Sequence, residues 1–322
     1  MAAKITLVTG ATGFVGRALC AQLVRTGQHV RACVRTQASG FGMPGVEPVW
    51  TGDLTHHSDW SQAIAGCDTI VHLAARVHVM RETAADPIVE FRKVNVAATE
   101  RLAIQAVAAG VRRLIYVSTI KVNGEAATDR PFQETDKPFP VDSYAASKWE
   151  AEQVLHDIAI KSGLEVVIVR PPLIYGPGVK GNFLSLLRLV DSGLPLPLAS
   201  CRNRRSFVGL SNFVDLLMQC VLHPHAAGQT FLVSDGDDLS TPELLQRIAQ
   251  AFGKRAHLFA VPAGGLRLAA RLVGRVDIYE RLCGSLQVDT GNTRRVLGWA
   301  PPQTVDAELL RTVQWYLSRR EK

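Results

Sequence analysis

Tyr144 and Lys148 stand four residues apart in Ser143-Tyr144-Ala145-Ala146-Ser147-Lys148. On a helix that spacing puts both side chains on one face. An ammonium beside a phenol lowers the phenol's pKa from its reference of about 10, so the hydroxyl becomes a usable acid or base near neutrality. The pair gains meaning from what precedes it. Leu114-Ile-Tyr-Val-Ser118 is an apolar run that reads as a strand, and it ends in Ser118-Thr119-Ile120-Lys121. A hydroxyl there can hydrogen-bond a substrate oxygen and hold it against the phenol. Thr119 is the candidate, and Ser118 reads as strand packing.

A second chemical feature opens the chain. The apolar strand Ile5-Thr-Leu-Val-Thr9 runs into Gly10-Ala11-Thr12-Gly13-Phe14-Val15-Gly16, and Val15, Leu19 and Leu23 then recur at helical spacing. The spacing G-x-x-G-x-x-G is one residue looser than the dinucleotide fingerprint, but the physics carries over. Glycines let backbone approach a pyrophosphate, and the helix N-terminus offers free N–H groups and a positive dipole end. An NAD site places an Asp or Glu about 20 residues on, at the end of the second strand, for the ribose hydroxyls. Here that position reads Cys33-Val34-Arg35-Thr36, and no Asp or Glu occurs from Met1 to Val46. Arg35, with Arg31 as a helper, suits a 2′-phosphate. The expected cofactor is therefore NADP(H), with NAD(H) as the alternative. Asp53 and Leu54 follow the third strand and would cover the adenine. His72-Leu73-Ala74-Ala75 ends the fourth strand and would pass beneath the cofactor; His72 itself reads as a satisfied core histidine.

These groups need a scaffold. His29 to Val34, Val46 to Trp50, Thr69 to Leu73 and Val166 to Val169 read as further strands. A long helix is expected from about Pro87 to Ala109, and another from Ser143 to Ser162. Continuous apolar strands alternating with helices predict an α/β, doubly wound parallel sheet of the Rossmann type. After Arg170 the rhythm breaks into Pro171-Pro172 and Gly176-Pro177-Gly178, which is turn chemistry. A helical run follows at Phe183 to Ser192. Gln229 to Ser234 reads as one more strand, and the chain is mostly helical from Leu239. The expected division is a dinucleotide domain of residues 1–170 plus about 207–236, with a smaller, mainly helical C-terminal substrate domain of 171–206 plus 237–322.

Composition is consistent with this reading. Of the 322 residues 47% are hydrophobic and 20% charged, which excludes a disordered chain. The net charge of +7 is spread along the sequence, so it suggests an anionic ligand rather than nucleic acid. The six cysteines form no C-x-x-C pair, so no metal is expected, and their scatter fits a reducing, cytoplasmic setting. No run is long enough to span a bilayer. The Arg-interleaved segment from Gly264 to Val276 reads as a packed helix rather than a membrane-surface one.

The ordered set Gly10-x-x-Gly13-x-x-Gly16, His72-Leu-Ala-Ala75, Thr119, Tyr144-x-x-x-Lys148, Arg170-Pro-Pro-Leu-Ile-Tyr-Gly-Pro-Gly178 and Leu297-Gly-Trp-x-Pro301 resembles the extended short-chain dehydrogenase/reductase family over nearly the whole chain. The resemblance implies that Thr119 takes the serine/threonine role, that Tyr144 is the general acid/base, and that Lys148 binds the nicotinamide ribose. It adds Asn95 and Pro171 to the cofactor side, with Thr12, Phe14 and Val15 from the opening turn. It implies a UDP-linked nucleotide-sugar substrate, met by Asn182 and by Arg204 and Arg205, two arginines able to clamp a diphosphate. Lys121 departs from the small or hydroxylated residue usual at its place and is grouped with the substrate side. By analogy the chain is expected to form a homodimer.

Within that family, 4,6-dehydratases carry Asp-Glu straight after the catalytic Thr. Ile120-Lys121 stands there instead, so elimination lacks its proton shuttle. Val30-Arg-Ala-Cys-Val-Arg35 is similar to the NADP-type strand of ketone reductases. Ile120-Lys-Val-Asn-Gly124 and Phe231-Leu-Val-Ser-Asp235 resemble bacterial UDP-4-keto-6-deoxy-N-acetylglucosamine 4-reductases of surface-polysaccharide assembly, many of which carry the label UDP-glucose 4-epimerase. The expected reaction is NADPH-dependent 4-keto reduction. The alternatives are an NAD-dependent UDP-hexose 4-epimerase and a catalytically silent NADP-binding protein.

Overall fold

The computed structural model describes residues 4–36, 41–53, 55, 57–77, 86–127, 130–272 and 274–320. Among these, nine strands form two sheets: β1 (Ile5–Thr9), β2 (His29–Val34), β3 (Val46–Trp50), β4 (Cys67–His72), β5 (Arg113–Val117), β6 (Glu165–Arg170), β7 (Leu173–Tyr175), β8 (Phe207–Gly209) and β9 (Thr230–Leu232). Seven of them pair in parallel in the order β3-β2-β1-β4-β5-β6-β9. This is the doubly wound arrangement, whose order reverses between β1 and β4. Ligands of such sheets bind at the carboxyl ends of the strands beside that switch.

The strands read as unbroken apolar runs because both faces are covered. Val8, Val71, Ile115 and Val167 face a layer that includes Leu19 and Leu23 of α1 (Phe14–Arg25), with Phe213 and Leu217 further along the chain. Their neighbours Leu7, Ile70, Leu114 and Ile168 face the opposite layer. Helix α2 (Ser61–Ile64) closes one edge of it. The long helix expected from about Pro87 is divided into α3 (Pro87–Arg92), a π-helical turn at Lys93–Ala97, and α4 (Ala98–Ala108). Helix α5 (Ser143–Ser162) packs beside α4. Asp142 caps it, accepting the Ala145 N–H at 2.7 Å, and Gly163 ends it at φ +75°.

Beyond β6 the chain is more ordered than its turn-rich sequence suggests. β7 and β8 pair with each other. Three residues are too few to show a strand period, so neither was legible. Helix α6 (Gly181–Asp191) follows β7, and α7 (Leu210–Leu222), which carries Phe213 and Leu217, returns to the sheet. Helices α8 (Thr241–Ala251), α9 (Ala263–Leu272), α10 (Val276–Cys283), α11 (Gly291–Leu297) and α12 (Val305–Ser318) complete the chain. A separate cluster joins α6, α8 and α12 through Phe183, Leu187, Leu245, Ile248, Leu309 and Val313. Leu266 of α9 packs against it, while Leu268 and Leu272 stay exposed. The Leu297-Gly298-Trp299 motif is a packing device: both large side chains join the sheet layer with α1, and Trp299 Nε1 donates to Asp215 at 2.8 Å.

Two glycines of the opening turn are fixed by backbone crowding. Gly10 sits at φ +65°, and a Cβ there would lie 2.9 Å from the Ala74 nitrogen. A Cβ on Gly16 would lie 2.2 Å from the Gly10 carbonyl oxygen. Neither obstacle is a side chain that can swing away. Gly16→Ala is therefore expected to lower stability by about 1–3 kcal/mol, as overpacking does, read as a fall in the urea midpoint; an unchanged midpoint would contradict the crowded turn.

Candidate active site

At the carboxyl ends of β4, β5 and β6 lies a cavity of about 250 Å³. Leu73, Ala75 and Val77 line it from the segment after β4; Val117, Ser118 and Thr119 from the end of β5; Tyr144 and Lys148 from the first turns of α5; and Pro171, Pro172 and Ile174 from the passage to β7. Two of these four segments bring Thr119, Tyr144 and Lys148 together, and the other two place Leu73, Ala75 and Pro171 beside them.

Lys148 dominates the electrostatics. It is 2% exposed, and its ammonium lies 4.0 Å above the centre of the Tyr116 ring. It has no hydrogen-bonding partner among the described residues. Burial pushes its pKa from 10.5 down to about 7, opposed by the nearby Glu152 carboxylate. Tyr144 is half-buried, and burial pushes its phenol up to about 12, with the Asp142 carboxylate adding to the rise. The expectation that the ammonium lowers the tyrosine pKa is corrected for the protein without cofactor. Desolvation outweighs the pair interaction, and a lysine whose pKa is near 7 is only partly charged at neutrality.

Glu152 gives Lys148 no hydrogen bond, because it is engaged elsewhere. It takes Arg170 at 2.5 Å and accepts the Ser118 hydroxyl, and Arg170 also donates to Asn123 Oδ1 at 2.9 Å. Both charges are buried, so the pair ties β5, α5 and β6 together behind the cavity, and removing one partner would leave the other uncompensated. Ser118 belongs to this network, consistent with a packing role. Sequence reasoning missed Glu152 and Tyr116. The signal for Glu152 was there: it continues the Tyr144, Lys148 spacing by four more residues.

His72 is a core histidine. Its Nδ1 lies 2.7 Å from Thr9 Oγ1 and its Nε2 2.9 Å from Thr99 Oγ1. Thr9 Oγ1 accepts the N–H groups of Leu73 and Ala74, each at 3.2 Å, and Thr99 donates to the Asn95 carbonyl at 2.8 Å. That network assigns the proton to Nε2. Burial lowers the His72 pKa to about 3, so the ring stays neutral.

Other expected residues are placed as follows. Asn95, on the π-helical turn, is buried and does not line the cavity. Its side chain accepts the Arg76 N–H at 2.8 Å and donates to the Arg76 carbonyl at 3.0 Å and to Ser147 Oγ at 2.9 Å, so it pins the segment after β4 to α5. Arg31 is no helper for Arg35. It is buried, paired with Glu47 at 3.0 Å and bound to the carbonyls of Ala63 and Ala65. Arg35 is exposed at the end of β2. Asp53 is exposed outside the cavity, and Leu54 lies outside the described residues. Asn182 is exposed on α6. Arg204 reaches Glu243 at 3.4 Å, and Arg205 donates to the carbonyls of Arg281 and Gly284, each at 3.0 Å. The two guanidiniums are thus turned to different partners rather than to one shared anion. Lys121 is turned to carboxylates, Asp142 at 2.6 Å and Glu125 at 2.8 Å.

A dinucleotide fits what remains. Gly13 is exposed, and a Cβ there would meet only the Gly10 carbonyl, at 3.1 Å. Helix α1 begins at that point with Gly13 as N-cap, no capping side chain and no acid in its first turn. The N–H groups of Phe14, Val15 and Gly16 therefore lack helical acceptors and suit an anion. The unpartnered ammonium of Lys148 suits neutral oxygen acceptors such as ribose hydroxyls.

Comparison with known proteins agrees with this geometry. Residues 6–234 match the model of the NAD dependent epimerase/dehydratase family. A UDP-glucose 4-epimerase of Vibrio cholerae is 43% identical over 99% of this chain and 97% of its own length. A 4-hydroxy-2-methyl-3-oxo-4-farnesyl-3,4-dihydroquinoline-1-oxide ketoreductase of Stigmatella aurantiaca is 30% identical over 83% of this chain and 79% of its own. The structure of MoeE5 in complex with UDP-glucose and NAD superposes with a TM-score of 0.77 at 26% identity, covering 98% of this chain and 99% of that one. No helix among the described residues is long and apolar enough to cross a membrane.

The buried lysine has a consequence for stability. The unfolded chain holds that proton up to about pH 10.5 and the folded chain only up to about 7, so the folded state is penalised fully below pH 7 and progressively less above it. Lys148→Met is expected to stabilise the cofactor-free protein by about 3 kcal/mol at about pH 6, with the gain fading by about pH 10. Urea unfolding at the two pH values checks this; a gain that grows with pH would contradict it.

Proposed function

We propose, from the premise that the chain belongs to the NAD dependent epimerase/dehydratase family, that it reduces the 4-keto group of a UDP-4-keto-6-deoxy-N-acetylhexosamine with NADPH. The observation that carries the choice is the end of β2, where Arg35 is exposed and no carboxylate stands for the ribose hydroxyls. Glu47, on the neighbouring strand β3, is held by Arg31.

Gly10, Gly13 and Gly16 with the first turn of α1 would hold the pyrophosphate, Arg35 the 2′-phosphate, and Lys148 the nicotinamide ribose. When bound there, the nicotinamide supplies the hydride for the ketone carbon. The rest is the work of this chain's side chains. The Tyr144 hydroxyl gives its proton to the oxygen of the former ketone. The Thr119 hydroxyl donates a hydrogen bond to the same oxygen and holds it within reach of Tyr144. Lys148, once its charge is satisfied by hydroxyl acceptors, regains the protonated form and lowers the cost of a tyrosinate. Ile120, where dehydratases carry an acid, is buried in an apolar cluster with Leu232, Leu286 and Val288, which argues against elimination.

A second reading, an NAD-dependent UDP-hexose 4-epimerase, is favoured by the name of the 43% identical Vibrio cholerae relative. The same three side chains serve it, with Tyr144 taking the proton first and returning it later. The two differ in the fate of the cofactor: the reductase consumes NADPH stoichiometrically, whereas the epimerase interconverts UDP-glucose and UDP-galactose with none added. Incubation with NADPH and enzymatically made UDP-4-keto-6-deoxy-N-acetylglucosamine, with product identification, separates them.

Two substitutions test the parts. Tyr144→Phe is expected to lower kcat by at least about 100-fold while NADPH binding stays unchanged, and a normal rate would remove Tyr144 from the chemistry. Arg35→Asp is expected to weaken NADPH binding by about tenfold or more and to spare NADH. An unchanged NADPH-to-NADH ratio would contradict the role given to Arg35.

A further inference from the structure

We propose that Lys121 is a positioning residue: its ammonium holds the Asp142 carboxylate at the start of α5, and so fixes against what neighbouring charge the Tyr144 hydroxyl works. This deepens the reading above and rests on Tyr144 as the proton donor.

The geometry links both reactive hydroxyls. Lys121 lies on a single 3-10 turn, Ile120–Val122, directly after Thr119. Its backbone N–H donates to Thr119 Oγ1 at 3.3 Å. Its ammonium meets Asp142 Oδ2 at 2.6 Å and Glu125 Oε1 at 2.8 Å. The other Asp142 oxygen caps α5 through the Ala145 N–H at 2.7 Å. One residue therefore ties the Thr119 turn to the helix turn that carries Tyr144. The side chain that stands where a small residue is usual turns to these carboxylates.

Charge explains why the tie matters. The Asp142 carboxylate raises the Tyr144 pKa, and an ammonium on that carboxylate offsets the effect. Among the described residues, further titratable groups on this side of Tyr144 are Lys148 on its own helix, Glu125 beside Lys121, and Tyr116 from β5. From α3 the Phe91 ring meets Tyr144 at 6.1 Å, with Arg76 over that ring at 5.6 Å. The nearby pairs Arg92–Glu150 and Lys93–Glu90 close among themselves. Without Lys121, the carboxylate that caps the Tyr144 helix would lose this ammonium.

The test uses the full chain with ring-fluorinated tyrosine, whose lower pKa brings the titration below the unfolding range, read by fluorine NMR. Tyr144→Phe assigns the Tyr144 signal. Lys121→Met is expected to raise the Tyr144 midpoint by about one pH unit, and Lys121→Arg to restore it. Asp142→Asn, which keeps a good helix cap, is expected to lower the midpoint, and Lys121→Met added to Asp142→Asn to move it no further. In turnover of UDP-4-keto-6-deoxy-N-acetylglucosamine with NADPH, Lys121→Met is expected to lower kcat by about tenfold and leave KM within about twofold. An unmoved Tyr144 midpoint, with or without a raised KM, overturns the proposal; a raised KM would make Lys121 a substrate ligand instead. A fully active Tyr144→Phe overturns the underlying reading, whereas an inactive Tyr144→Phe beside a Lys121→Met of wild-type midpoint and kcat overturns only the role of Lys121.

Discussion

The site depends on a buried ammonium that no carboxylate among the described residues holds by a hydrogen bond. Lys148 sits at the floor of the cavity, over the face of Tyr116, with its pKa pulled down to about 7. A ring face offers a cation some attraction but no hydrogen-bond acceptor of carboxylate strength. The nearest acid on the same helix, Glu152, is bound by Arg170 and Ser118. A fold that buries a lysine in this way is destabilised by it, and the deficit is relieved by whatever brings acceptors to the cavity. On the proposed function, binding of a polyhydroxylated cofactor and recovery of the lysine's charge would be one event, and the acidity of Tyr144 would follow from it.

The surrounding structure serves that placement. The switch in strand order between β1 and β4 opens the crevice, and the glycine turn brings the start of α1 to its edge. Gly10 and Gly16 are fixed by backbone crowding, whereas Gly13 leaves its outer side free. Asn95 and His72 lie one layer deeper. One fixes the strand-end segment against α5, and the other, kept neutral, joins β1 to α4 without adding charge near Lys148. The chemistry faces the cavity while the hydrogen bonds that hold it run behind.

Much of this was legible in the sequence, because the signals were local and repeated. Buried strands showed as apolar runs, the helix of Tyr144 showed by its four-residue spacing, and the opening turn showed by its glycines. Long-range pairing was not legible. Arg31 and Arg35 look equivalent along the sequence, yet Arg31 lies within β2 and reaches Glu47 and the Ala63 and Ala65 carbonyls, whereas Arg35 lies just past the end of the strand, in solvent. Arg204 and Arg205 look like a clamp, yet their backbone forms a bridge that sends them to opposite sides. The sign of the tyrosine shift was misjudged for a related reason: spacing says that an ammonium is near, but burial decides whether it stays charged. β7 and β8 were hidden because three residues carry no period.

The most direct test of this account is the titration of the Lys148 amine itself, followed by NMR of the nitrogen-labelled full chain and assigned with Lys148→Met. The account predicts a midpoint of about 7 in the free protein and a clear upward move when NADPH is added. A midpoint at the ordinary lysine value, unmoved by the nucleotide, would contradict it.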